Sequence, residues 1–155
     1  MELAEILAER AVLCCTDVKT KRQLFEELAE RAAELTGHNS AEILDAIVSR
    51  EELGSTGLGN GIAIPHGKIA GLSQVTALVA RLDHPIDFDS VDDQPVDIVV
   101  MLLAPAGAGA EHLKALSRVA RLLRTESVVD ELRQAETPEQ LREIFTAQAT
   151  ADYAA

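Results

Sequence analysis

The chain has 155 residues, 47% of them hydrophobic and 26% charged, which suits one globular domain with a true core. Aromatic residues make up only 3%, so that core must be built from Leu, Ile, Val and Ala. The net charge of −12 argues against nucleic acid as a partner, because phosphate-backbone binding needs a basic surface.

At the N-terminus, Leu3, Ile6 and Leu7 fall at helical spacing and predict a short amphipathic helix over residues 2–10. Met1-Glu2-Leu3-Ala4-Glu5 is acidic where an export signal is basic, and no apolar run approaches the roughly 20 residues of a bilayer span. The expectation is a cytoplasmic protein without membrane insertion. Ala11 to Cys15 reads as an edge strand, with Cys14 and Cys15 as reduced thiols, since sequence neighbours rarely reach disulfide geometry. Thr20 with Gln23 is a capping box for a helix whose apolar face is Leu24, Phe25, Leu28, Ala32 and Leu35, stopped at Gly37. Asn39 with Glu42 opens a second helix, with a stripe of Ile43, Leu44, Ile47 and Val48, ending near Gly54.

A glycine-rich stretch follows, with Gly61 to Ile64 as a short strand, and it leads through Pro65 to His66. Gln74 to Leu82 reads as a buried strand ended by His84-Pro85, and Asp87 to Gln94 as a turn-rich connector. Val96 to Leu103 is the most apolar run and suits a central strand. The loop Ala104 to Ala110 delivers a helix starting near Glu111 or His112, with Leu113, Leu116, Val119, Ala120 and Leu123 as its apolar face. A short helix over Ser127 to Gln134 comes next. Thr137-Pro138-Glu139-Gln140 then caps a last helix through Leu141, Ile144 and Phe145. This order predicts a single α/β domain with a mixed sheet of about five strands flanked by helices on both faces, spanning 1–148, with 149–155 as a loose tail.

Of the four histidines, His38 and His84 read as surface loop residues. His66 sits on a stiff Pro65–Gly67 corner with bare backbone beside it. Metal is not expected, because there is no H-x-x-x-H or C-x-x-C spacing. Neither a P-loop, a dinucleotide fingerprint nor a G-x-S-x-G nucleophile elbow is present. What remains is a neutral imidazole as phosphoryl acceptor, which needs donors aimed at the phosphoryl oxygens. His112 is placed for that in a first helical turn, where free N–H groups and the dipole favour an anion and disfavour an imidazolium; alone it also reads as an exposed helix-start residue. Arg50, four residues before Gly54, is the arginine nearest the loop in sequence, and it also reads as a solvated helix-end cation.

Ser49-Arg50-Glu51-Glu52-Leu53-Gly54-Ser55-Thr56-Gly57 and Gly59-Asn60-Gly61-Ile62-Ala63-Ile64-Pro65-His66-Gly67-Lys68 closely resemble the phosphorylation-site signature of a known family. It is the enzyme IIA components of the bacterial phosphoenolpyruvate-dependent phosphotransferase system, in the fructose/mannitol/nitrogen-regulatory branch. The likeness continues through Pro85-Ile86-Asp87-Phe88-Asp89, Gln94-Pro95-Val96-Asp97 and Glu111-His112-Leu113, and its details favour the nitrogen-regulatory members. The resemblance implies phosphorylation of His66 on Nε2 by an HPr-like phosphocarrier, with His112 stabilising the phosphoryl group and Arg50 contacting it. It implies no cofactor, a fold of mixed sheet and flanking helices, and outputs such as potassium transporter components, sensor kinases and nitrogen control. The alternatives it leaves are a sugar-specific IIA passing phosphate to a separate IIB component, and a regulatory module that is not phosphorylated. One departure from the family pattern is the small, plain loop from Pro105 to Ala110.

Overall fold

The structure is a computed structural model and describes residues 3–154, with side chains described over 5–14 and 16–147. In chain order the elements are α1 (Leu3–Ile6), β1 (Val12–Thr16), α2 (Lys21–Thr36), α3 (Ser40–Glu52), β2 (Gly57–Gly59), β3 (Ile62–Ala63), β4 (His66–Ile69), β5 (Thr76–Ile86), β6 (Val96–Pro105), α4 (Gly109–Leu123), α5 (Glu126–Gln134) and α6 (Pro138–Ala154). The described strands form one six-stranded mixed sheet in the order β1-β5-β6-β3-β2, with β4 also paired to β6.

The apolar run at Val96 becomes the central strand. Val96 and every residue from Ile98 to Ala104 are buried, so β6 carries side chains into the core on both faces. β5 lies antiparallel to β6 on one side, and β1 takes the edge expected of it, parallel to β5. On its other side β6 meets β3 and then β4, both parallel, and Ile62↔Ile98, Ala63↔Val99 and His66↔Leu102 keep one register. β3 and β4 are therefore one strand in two pieces, with Pro65 between them. Proline donates no ladder bond, but its carbonyl still accepts from Leu102 N at 2.9 Å.

Successive residues of β4 point to opposite faces. Gly67 lies against Ala46 and Ile47 of α3, while His66 faces His112 of α4. α2 and α3 form one helical layer. On the other face α4 covers β6, α6 reaches β1, and α5 packs against both α4 and α6. The helix caps follow the sequence. Thr20 Oγ1 accepts from Gln23 N, Asn39 Oδ1 from Ala41 N, Thr137 Oγ1 from Gln140 N, and Gly37 closes α2 in the left-handed region (φ 77°). Gln23 and Gln140 each complete the box one residue early, accepting from Lys19 N and Glu136 N.

Four expectations change. The first helix is a single turn followed by a 3-10 turn at Glu9–Ala11, since so short a helix is marginal and the chain must already turn into β1. β5 does not end at His84-Pro85 but runs to Ile86; Pro85 falls in the register break between Arg81 and Ile86, where no N–H is required. Residues 149–154, expected as a loose tail, continue α6 to Ala154.

The fourth change concerns the glycines after residue 56, which build a hairpin. β2 and β3 pair antiparallel around Asn60-Gly61, at φ 57° and 82°, the two left-handed positions of a type I′ turn. A Cβ on Gly61 would come within 2.5 Å of Arg133 Nη2 and 2.9 Å of Asp97 Oδ1. Arg133 Nε and Nη2 there bind Asp97, and Nη2 also donates to Asn60 O at 2.7 Å. Gly61→Ala is expected to lower unfolding free energy by about 1–3 kcal/mol, because it adds backbone strain and splits a clamp. Urea denaturation measures it, and an unchanged midpoint would rule out this account of the turn.

Candidate functional site

The site begins at the first residue of β4. The half-buried His66 ring places Nδ1 2.9 Å from the carbonyl oxygen of Ile64, two residues back. A carbonyl only accepts, so the proton sits on Nδ1 and Nε2 keeps its lone pair. That nitrogen is met by Arg50 Nε at 3.2 Å. Arg50 comes from the last turn of α3, and its Nη1 donates to Gly54 O at 2.9 Å, which ties the guanidinium to the loop after the helix.

His112 comes from the opposite direction, in the first turn of α4. Its ring centroid is 5.5 Å from that of His66, edge to face at 63°. The expected apolar face of α4 is off by one position at this end. Leu113 is 64% exposed, whereas His112 is 7% exposed and lines up with buried Ala115, Val119 and Leu122. The exposed helix-start reading of His112 is thereby corrected: the helix turns the imidazole, not the leucine, toward β4. Its Nδ1 is buried without a hydrogen-bond partner.

Burial holds the His112 pKa below its ordinary 6.5, and the neighbouring His66 and Lys68 add to the effect, so the ring is kept neutral. A histidine held neutral by folding contributes stability in full above its unfolded pKa, and loses it as pH falls through that value toward the folded one. His112→Gln is therefore expected to flatten the decline in stability between about pH 7 and pH 5, read by urea denaturation across that range. An acid decline as steep as in the wild type would contradict this account of His112.

Lys68, exposed and two residues on along β4, shares the open face with His66. α4 is capped by Ala108 without a side-chain acceptor, so its first amides keep their donors. His84 is exposed near the end of β5, and His38 lies by Gly71, so neither joins the constellation. The structure thus brings together Arg50, His66 and His112, which the sequence singled out separately. The Ile64 carbonyl escaped sequence reading because backbone acceptors carry no side-chain signal. The glycines of 57–61 do not line the site; they form the edge hairpin, and Gly59 and Gly61, with Asp97 and Arg133, border a cavity of about 550 Å3 that none of the three site residues lines.

A basic imidazole nitrogen with a guanidinium on it, a neutral imidazole beside it and free helix amides nearby can accept and hold a tetrahedral anion. Arg50 and His66 are half-buried beside the exposed Lys68, and none of the three site residues lines the cavity above, which suits delivery by another protein more than capture of a free small molecule. Among the described residues no set of three His, Cys, Asp or Glu is grouped to hold a metal, and no helix is long and apolar enough to cross a membrane.

Comparison with known proteins gives the same direction. Residues 5–148 match the family model described as "Phosphoenolpyruvate-dependent sugar phosphotransferase system, EIIA 2". The chain is 51% identical over 133 residues to a nitrogen regulatory protein of Bradyrhizobium diazoefficiens, covering 86% of this chain and 87% of that one. Among solved structures it is similar to nitrogen regulatory protein IIA-Ntr from Neisseria meningitidis, with TM-score 0.88, 36% identity, and 93% and 99% of the two chains covered. It shares its fold with enzyme IIAMTL, solved in complex with phosphorylated enzyme IIBMTL from Escherichia coli, at TM-score 0.72, 20% identity, and 88% and 94% coverage.

Proposed function

Because the chain belongs to the EIIA type 2 family of the phosphoenolpyruvate-dependent phosphotransferase system, we propose that it is a cytoplasmic phosphocarrier of the nitrogen-regulatory kind, accepting a phosphoryl group on Nε2 of His66 from an HPr-like protein. Family membership carries a general phosphotransferase role and its regulatory branch. The observation that most supports the acceptor atom is the bond from His66 Nδ1 to Ile64 O, which leaves Nε2 as the nucleophilic nitrogen.

In the transfer, the Nε2 lone pair forms a bond to phosphorus as the carrier's phosphorus–nitrogen bond breaks, and that electron pair leaves with the carrier's imidazole. His66 keeps its Nδ1 proton, and the Ile64 carbonyl supports the positive charge that develops on the ring. Arg50 turns from the nitrogen to the new phosphoryl oxygens. His112, held neutral, donates a hydrogen bond to them, and the first-turn amides of α4 face the same charge. Phosphorylation state is then the signal read by output proteins such as potassium transporter components or sensor kinases.

The test is incubation with a phosphorylated HPr-like carrier. The expected product carries acid-labile, base-stable phosphate with a 31P signal of Nε2-phosphohistidine. A wild-type protein that takes up no label overturns the proposal.

A further inference from the structure

We infer that Glu51 and Thr56 are positioning residues for phosphoryl transfer, acting on His66 through Arg50; this rests on the phosphocarrier reading above. Glu51 occupies the last turn of α3, the end where the helix dipole disfavours an anion, and its side chain is only 7% exposed. A carboxylate so placed must be held by something other than its helix.

Thr56 donates to it twice, from N to Oε2 at 2.9 Å and from Oγ1 to Oε1 at 2.5 Å, and Lys21 Nζ lies 3.3 Å from Oε2. Lys21 is in turn seated over the Phe88 ring, 4.7 Å from its centroid. The pair closes residues 53–56 into a short loop anchored at both ends. At the near end Arg50 Nη1 holds Gly54 O; in the middle Ser55 Oγ donates to Phe88 O at 3.0 Å.

Packing holds that loop only at its far end, where Thr56 is 6% exposed. Leu53 is 84% exposed, and nothing lies within 4 Å of where a Cβ on Gly54 would stand. The Gly54 carbonyl is therefore placed by the backbone bond from Gly54 N to Glu51 O at 3.1 Å and by the anchored Thr56, and that carbonyl is the rest for the Arg50 guanidinium. The need for the rest is greatest during transfer. The Nε2 lone pair that accepts from Arg50 Nε at 3.2 Å becomes the nitrogen–phosphorus bond, so Arg50 must leave Nε2 and meet the phosphoryl oxygens while still held at Gly54.

The experiment is rapid-quench transfer from phosphorylated carrier to wild-type, Thr56→Val, Thr56→Ser and Glu51→Gln proteins, each alone and in an Arg50→Ala background, with melting temperature as a folding control. Thr56→Val is expected to lower the rate at saturating carrier roughly tenfold with little change in KM, and Thr56→Ser to restore it. In the Arg50→Ala background Thr56→Val and Glu51→Gln are expected to have no further effect. A Thr56→Val rate equal to wild type, or an equal reduction in both backgrounds, overturns the inference while leaving the acceptor role of His66 intact. Should Thr56→Val fail to fold, Glu51→Gln decides by the same comparison. Wild-type protein that is not labelled at all overturns the phosphocarrier reading and this inference with it.

Discussion

His66→Ala is expected to take up no phosphate from a phosphorylated carrier under conditions chosen to label the wild type to completion. The loss should be total rather than partial because no other side chain among the described residues can replace this one. Replacement requires a nitrogen with a free lone pair, open to a docking protein and oriented by a bond to its opposite nitrogen, and among the described residues His66 meets all three through its contact with Ile64 O. His112 lies one ring away, but it is only 7% exposed. His38 and His84 are remote from Arg50 and from the start of α4. The fold should survive the substitution, since the pairing of β4 with β6 at His66↔Leu102 is made by backbone groups. Stoichiometric labelling with 32P, followed by acid and base treatment, measures the result. Label retained by His66→Ala at the wild-type level would move the acceptor elsewhere.

The legible parts of this molecule were those specified by neighbours in sequence. The caps at Thr20, Asn39 and Thr137 act over three residues, and the run from Val96 is apolar enough to be central in any sheet. The motif around His66 is local too, which is why residues from three separate elements could be named before any of them was seen together. What escaped depends on distant pairing. β2 has three residues and β4 four, too few to show periodicity, and both exist because the β2–β3–β4 segment folds along β6. The Asn60-Gly61 turn was the one local sign of that hairpin. Pro85 suggests a strand end because the rule for proline assumes a regular ladder, and the ladder is irregular there. The burial of His112 is hidden for a different reason. Hydropathy favours Leu113 as the buried neighbour, so a helix that instead buries a histidine at 7% exposure goes against its own pattern. Such a mismatch between local pattern and tertiary placement is expected where function, not stability, has chosen the residue.

Arg50→Ala is expected to slow phosphoryl transfer by about 100- to 1000-fold at saturating carrier, the usual loss when one donor aimed at developing charge is removed. Arg50→Lys should recover little of that. Arg50 uses two separate nitrogens at once, Nε toward His66 Nε2 at 3.2 Å and Nη1 toward Gly54 O at 2.9 Å. A lysine keeps the charge but has a single nitrogen on a flexible stem, so it can hold the loop or face the phosphoryl group and cannot span both. Charge alone and charge with geometry therefore give different outcomes. If a positive potential near His66 were sufficient, Arg50→Lys would transfer at close to the wild-type rate, helped by Lys68 on the same strand face. If the fork is needed, Arg50→Lys falls near Arg50→Ala in single-turnover rate, while a stop in base still finds the slow label on His66 and acid treatment then removes it. The same measurement made against increasing salt separates the two further, because steering by charge is screened whereas a positioned guanidinium within the transfer complex is not.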